Sequence, residues 1–242
     1  SIFVFLLALA PIVQNIKYGQ INALVLLLAV LGIYFHQKEK TLMSSFFLAL
    51  GFWFKVYPIL LLPLFINKSN YKSTVLYFLF SVILIPVLFL PILPLSLYAE
   101  YFISILPNTS DVLIIGSFNQ SLSVFLMRLG LPINSLVDWS YLSIPGWIKI
   151  VNLSFFLLLY ATVVILQKTN KLAEKTAFSI ALVLSCIFTP VGWEYTFVLS
   201  TFLIAILIVN FEKFDKIGKT IIVLNAVSLA IPKLPDSLII KA

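Results

Sequence analysis

Lys55 stands inside one of the most apolar stretches of the chain, Gly51-Phe52-Trp53-Phe54-Lys55-Val56-Tyr57-Pro58. An ionisable group at bilayer depth costs roughly 2.5–3.5 kcal/mol on insertion scales, so it is expected to face an anionic partner or a wet cavity. Three further polar clusters interrupt apolar sequence: Lys17-Tyr18-Gly19-Gln20-Ile21-Asn22, Ser117-Phe118-Asn119-Gln120-Ser121 followed by Arg128, and Gly192-Trp193-Glu194-Tyr195. Such a set suits an anionic headgroup whose tail stays in lipid. A lipid phosphate fits: Lys55 and Arg128 would hold it, and Tyr57, Gln20 and Asn22 would hydrogen-bond it. If that phosphate is a leaving group, its developing charge is stabilised in a low-dielectric site. A sugar hydroxyl attacking such a donor needs a carboxylate base within about 3 Å. Glu194 is the acid at a predicted hairpin tip, and Asp111 and Asp138 in a long outer segment are further candidates.

Each cluster also has a plainer reading. Lys17 can snorkel to the interface, Trp193 and Tyr195 can belong to an aromatic belt, and Arg128 can touch lipid headgroups. Asn119-Gln120-Ser121 matches a glycosylation acceptor pattern, which burial beside a capped helix argues against.

The elements that must position these residues are membrane helices. The chain has 242 residues, 62% of them hydrophobic and 10% charged, with mean hydropathy +1.12. Long apolar runs at that composition mean a polytopic helical membrane protein. Backbone groups in lipid must be satisfied within each segment, so an all-α bundle is expected and not an open sheet. Residues 1–242 read as a single transmembrane domain. The first residue is Ser1, inside an apolar run, so the chain reads as a fragment lacking N-terminal helices and a first outer loop. The single Cys186 leaves no internal disulfide and no cysteine-rich zinc site. No metal and no cofactor is expected, and His36 reads as a solvated loop residue. The net charge of +7 sits in short loops between spans, a placement that argues against nucleic acid as a partner.

Those loops set the topology. His36–Lys40, Asn67–Lys72, Lys168–Lys175 and Phe211–Lys219 hold ten of the 16 basic residues. The positive-inside rule assigns them to the cytoplasm. Residues 41–66 must then leave the cytoplasm and return. The outward arm, Thr41–Phe54, is about 21 Å long at 1.5 Å per residue, short of the ~30 Å hydrocarbon core. The pattern predicts a hairpin turning inside the membrane with Lys55 and Tyr57 at its tip. A single kinked helix is the rival, and it would put Lys68, Lys72, Lys168, Lys171 and Lys175 outside.

The remaining spans follow. Ile2–Val13 runs outward, Asn15–Gln20 turns, and Ile21–Phe35 returns. Thr74–Leu95 runs outward, with Pro86, Pro91 and Pro94 loosening its outer end. A long outer segment covers Tyr98–Trp147 and contains an amphipathic helix over Ser117–Gly130, capped by Ser117 and stopped by Gly130 and Pro132. Ile148–Leu166 returns. Thr176–Pro190 and Phe197–Val209 form a second short hairpin with Val191–Tyr195 at its tip. Thr220–Ile231 begins a last helix. This topology puts Lys17, Gln20, Asn22, Lys55, Tyr57, Asn119, Gln120, Arg128 and Trp193 on one outer face, around a cavity open to the outside.

In that order the motifs resemble glycosyltransferase family 87, integral-membrane enzymes of the GT-C type similar to polyprenol-phosphate-mannose-dependent α-mannosyltransferases. The matching residues are Gly19, Gln20 and Asn22; Lys55, Tyr57 and Pro58; Asn119, Gln120, Ser121, Leu122 and Arg128; and Thr189, Pro190 and Trp193. The resemblance implies a polyprenyl-phosphate-linked sugar donor, a glycolipid or glycan acceptor, and an extracytoplasmic active site in the plasma membrane. It also implies a catalytic aspartate in a first outer loop, and no residue of this chain matches it. Family members often carry a histidine after the tryptophan of the last motif, where this chain has Glu194, Tyr195 and Thr196. Two other readings stay open: a secondary transporter built on broken helices, and a non-catalytic membrane subunit whose polar residues glue helices together.

Overall fold

The computed structural model describes residues 10–67, 70–115, 119–130, 140–189, 192 and 194–230. The expectations for residues 2–9, Lys68, Ser117, Pro132, Asp138, Pro190, Trp193 and residues 231–242 lie outside them. The architecture is an all-α membrane bundle, as the apolar composition requires. Helix α1 is Ala10–Lys17, α2 Asn22–Gln37 and α3 Thr41–Phe54. A 3-10 turn at Tyr57–Leu61 leads into the short α4, Leu62–Phe65. Helix α5 is Tyr71–Phe89, α6 Leu95–Glu100 and α7 Leu106–Asp111, and strand β1 is Val112–Ile115. Helix α8 is Leu122–Gly130, strand β2 Ser140–Ser143, α9 Gly146–Lys168, α10 Glu174–Phe188, α11 Ser200–Val209 and α12 Lys216–Ala230.

Among the described residues, two helices are long and apolar enough to cross a bilayer. Only 22% of the most apolar window of α5, and 11% of that of α9, is buried inside the protein. Their apolar surfaces face outward, with Leu76, Ile83, Ile150, Leu158 and Ile165 each at least 60% exposed. A soluble core helix would bury that surface, whereas a lipid-facing helix leaves it outside.

The first hairpin turns short, as its length demands. Helix α3 rises from Thr41, and the chain is back at the level of its start by Phe65, whose ring stacks on His36 at 4.6 Å. Gly51 makes the close return possible, since a Cβ there would lie 3.3 Å from the Pro58 ring. Lys55 ends α3 in an extended conformation (φ −154°, ψ 137°). The return arm carries Pro63, which lacks the N–H that would reach the Leu60 carbonyl, and it ends at Phe65, which leaves the Leu64 carbonyl unmet within its own helix. Helix α9 answers them: Tyr160 Oη donates to the Leu60 carbonyl at 2.5 Å, Gln167 Nε2 to that of Leu64 at 3.3 Å, and Lys168 Nζ to the same oxygen at 3.1 Å. Pro86 in α5 frees the Val82 carbonyl, and Trp53 Nε1 donates to it at 3.0 Å. Irregular backbone is thus tolerated here because neighbouring helices supply its donors.

At the lysine-rich end, His36 departs from the expectation of a solvated loop residue. Its side chain is 8% exposed and meets Glu174 Oε1 at 2.9 Å. The stacked Phe65 ring and the edge of Phe178 cover it. This contact ties the ends of α2, α4 and α10. The core beneath is apolar, with Leu48, Leu61, Leu64, Phe65, Phe178 and Leu182 at most 1% exposed.

The long segment between α5 and α9 holds an unexpected feature, a two-stranded antiparallel pairing of β1 and β2 with Val112 opposite Ser143 and Ile115 opposite Ser140. The amphipathic helix begins at Leu122, later than expected. Its cap is Ser121, whose Oγ accepts from the Val124 N–H at 3.3 Å.

Candidate active site

The end of the bundle opposite the lysine-rich loops gathers the polar motifs. At the start of α2, Asn15 Oδ1 accepts from the Ala23 N–H at 3.2 Å, so Asn15 caps that helix. One turn away, fully buried Asn22 accepts through Oδ1 from the Tyr57 hydroxyl at 3.1 Å. Lys17-to-Asn22 and Lys55-to-Pro58 therefore meet, through one hydrogen bond between residues 35 apart in the chain.

A second junction joins the Asn-Gln-Ser and Gly-Trp motifs. Asn119, 1% exposed, accepts through Oδ1 from the Gly192 N–H at 3.2 Å and from the Ser121 N–H at 3.1 Å. The Gln120 N–H donates to the Gly192 carbonyl at 2.8 Å. Gly192 is required by contact: a Cβ would sit 2.9 Å from both the Cys186 carbonyl oxygen and the Ser121 nitrogen. Burial of Asn119 also removes it as a glycosylation acceptor.

Between these junctions lies a cavity of about 520 Å³. Tyr57 and Leu60 line it from the return arm, Ser123 from α8 and Ile144 from the segment after β2. Lys149, Asn152, Leu153 and Phe156 line it from α9, and Ser185, Phe188 and Thr189 from the end of α10. Leu153 is 57% exposed on the outer face of α9, so the cavity opens beside an apolar helix surface. Its volume and its mix of apolar wall with few polar groups are those of a ligand pocket.

The residues singled out from the sequence divide around this cavity. Tyr57 lines it, and Asn22 holds Tyr57. Lys55 stands two residues before Tyr57, half-buried, and Arg128 is half-buried on α8; neither contributes to the described lining. Lys17 and Gln120 are exposed and Gln20 is half-buried, with Lys17 Nζ 5.6 Å from the centre of the Tyr18 ring. Glu194 begins the 3-10 turn that leads into α11. The wall also contains residues not picked out beforehand, Lys149 and Asn152. Their signal in sequence was a polar pair three residues apart at the start of a long apolar helix, where both reach one face.

A lipid-exposed helical bundle with a polar-flecked cavity beside an outward apolar helix defines a membrane protein with a candidate ligand pocket. The chain's own affiliation is sharper: the sequence model of glycosyltransferase family 87 matches residues 1–190, and the chain belongs to that family. It is a glycosyltransferase, with a sugar donor and an acceptor as its substrates. Neither a curated protein nor a solved structure matches it.

Proposed function

We propose that this glycosyltransferase moves a hexosyl group, mannosyl by resemblance, from a polyprenyl-phosphate carrier to a glycolipid or glycan acceptor on the extracytoplasmic side of a multi-pass bundle in the plasma membrane. The observation that carries the proposal is the cavity at the end opposite the lysine-rich loops, open beside α9, with Tyr57 in its wall. A carrier with a long apolar tail can leave that tail in lipid while its headgroup sits inside. Positive loops favour the cytoplasm, which supports an outer position for the cavity. Lys55, Tyr57 and Arg128 are the proposed partners of the donor phosphate, stabilising charge that develops as the glycosidic bond to it breaks. Lys17, Gln20, Asn22, Asn119, Gln120 and Trp193 are the proposed polar surround, and Glu194 is the proposed base, taking the acceptor hydroxyl's proton as that oxygen attacks the anomeric carbon.

The test is transfer in proteoliposomes from a radiolabelled polyprenyl-phosphate hexose to endogenous glycolipid. Label moving to a glycolipid in the native protein, and lost in Lys55→Ala with folding intact, is the expected result. Transfer from a nucleotide sugar instead, or full transfer by Lys55→Ala, would overturn the donor reading or the role of Lys55 respectively. Solute uptake by the same vesicles without any transfer would favour a transporter.

A further inference from the structure

We infer that the wall of the cavity contributes a phosphate partner of its own: Lys149, supported by Asn152 one turn along α9, binds the phosphorylated head of a lipid whose chain leaves past Leu153. The inference rests on the proposed donor class for the identity of the lipid, but its geometry is independent of Lys55.

Three observations carry it. Lys149 and Asn152 both line the cavity, and among its described lining residues Lys149 is the only cation. A cation in the first turn of a helix works against the helix dipole, which favours anions there. Facing an anion in the cavity, the ammonium and the positive helix end act in the same direction. Asn152 is committed on one side, where Nδ2 donates to the Phe188 carbonyl at 2.9 Å. Its Oδ1 is buried without a hydrogen-bond partner among the described residues. A buried acceptor left unmade is costly, and a sugar hydroxyl in the cavity would satisfy it. Finally, Leu153 and Phe156 continue the same wall, and Leu153 is exposed on the outer surface. The wall thus supplies an ammonium for a phosphate, an amide acceptor beside it for a sugar hydroxyl, and apolar side chains that reach the lipid for an isoprenoid tail.

The cavity is therefore a site for a lipid monophosphate and not for free phosphate. The experiment measures binding to the protein in nanodiscs by native mass spectrometry. The probes are a short polyprenyl monophosphate, the corresponding uncharged polyprenol, phosphatidic acid and inorganic phosphate. The expected results are a weakening of polyprenyl-monophosphate binding by roughly tenfold or more in Lys149→Gln, the scale of one charge-assisted hydrogen bond, recovery in Lys149→Arg, and no change for polyprenol. Leu153→Trp, at an exposed position that tolerates bulk, is expected to weaken both isoprenoid probes.

Equal binding of the monophosphate by native protein and Lys149→Gln would overturn the inference while leaving the donor proposal standing. Lys149-dependent binding of phosphatidic acid with none of polyprenyl monophosphate would keep the lipid-phosphate site and overturn the donor proposal. Lys149-dependent binding of inorganic phosphate as tight as that of the lipid probes would refute the role of the tail.

Discussion

Asn119→Ala tests whether the candidate-site end of the bundle is held by a single side-chain oxygen. Asn119 Oδ1 receives the Gly192 and Ser121 N–H groups at 3.2 and 3.1 Å, at a site 1% exposed. Water does not replace the lost acceptor there. Each buried donor left unmade costs about 1–3 kcal/mol. Because the two share one oxygen and one junction, their sum is less than additive, and we expect about 3 kcal/mol. For a chain of this size that is a fall of roughly 6–12 °C in Tm. A local readout accompanies the global one. Cys186, the chain's one cysteine, is fully buried, and its carbonyl packs against Gly192. Loosening the junction should raise the rate at which a maleimide labels its thiol in detergent. Asn119→Leu, which restores volume but not the acceptor, should behave like Ala. A Tm within about 2 °C of native in both variants, with Cys186 still protected, would refute the reasoning.

Other perturbations probe other links. Gly192→Ala places a methyl 2.9 Å from two backbone atoms and should cost about 1–3 kcal/mol by overpacking; combined with Asn119→Ala in thermal melts, the loss should be less than additive. Tyr160→Phe removes the donor to the Leu60 carbonyl in the proline-broken return arm and should cost about 1–3 kcal/mol, read as lower Tm and faster proteolysis near residues 57–66. At the lysine-rich end, the hydrogen bond from His36 holds the Glu174 carboxyl below its ordinary value of 4.5, against an opposing effect of burial. A depressed carboxylate pKa stabilises the fold above the unfolded value and loses that contribution as pH falls through the folded value. Melting between pH 7 and pH 3 should therefore show a loss below about 4.5 that Glu174→Gln lacks.

Much of this architecture was legible because the bilayer imposes strict rules. Lysine placement and the outward arm of about 21 Å marked a hairpin too short to cross, and the return of Phe65 to His36 follows from that length. The topology put Tyr57 and Asn22 on one face as partners of a phosphate, and in the structure the Tyr57 hydroxyl donates to Asn22 instead. His36 was misread because a lone histidine among charges looks solvated; only tertiary packing brings Phe65 and Phe178 over it. The pairing of Val112–Ile115 with Ser140–Ser143 was invisible because each run is four residues long and the partners lie far apart in sequence. Lys149 and Asn152 resemble ordinary interfacial residues at a helix start. The cavity that gives them meaning forms only where α9 packs against α10 and the return arm.

Sidedness is the claim on which the functional account stands, and impermeant labelling measures it directly. With Cys186 replaced by Ala, a single cysteine is placed at exposed Gln120, beside the Asn119–Gly192 junction, or at exposed Lys38, in the loop after α2. A membrane-impermeant maleimide applied to intact cells should label position 120 at once and position 38 only after permeabilisation. Labelling of position 38 from outside, with position 120 protected until the membrane is opened, would contradict the account.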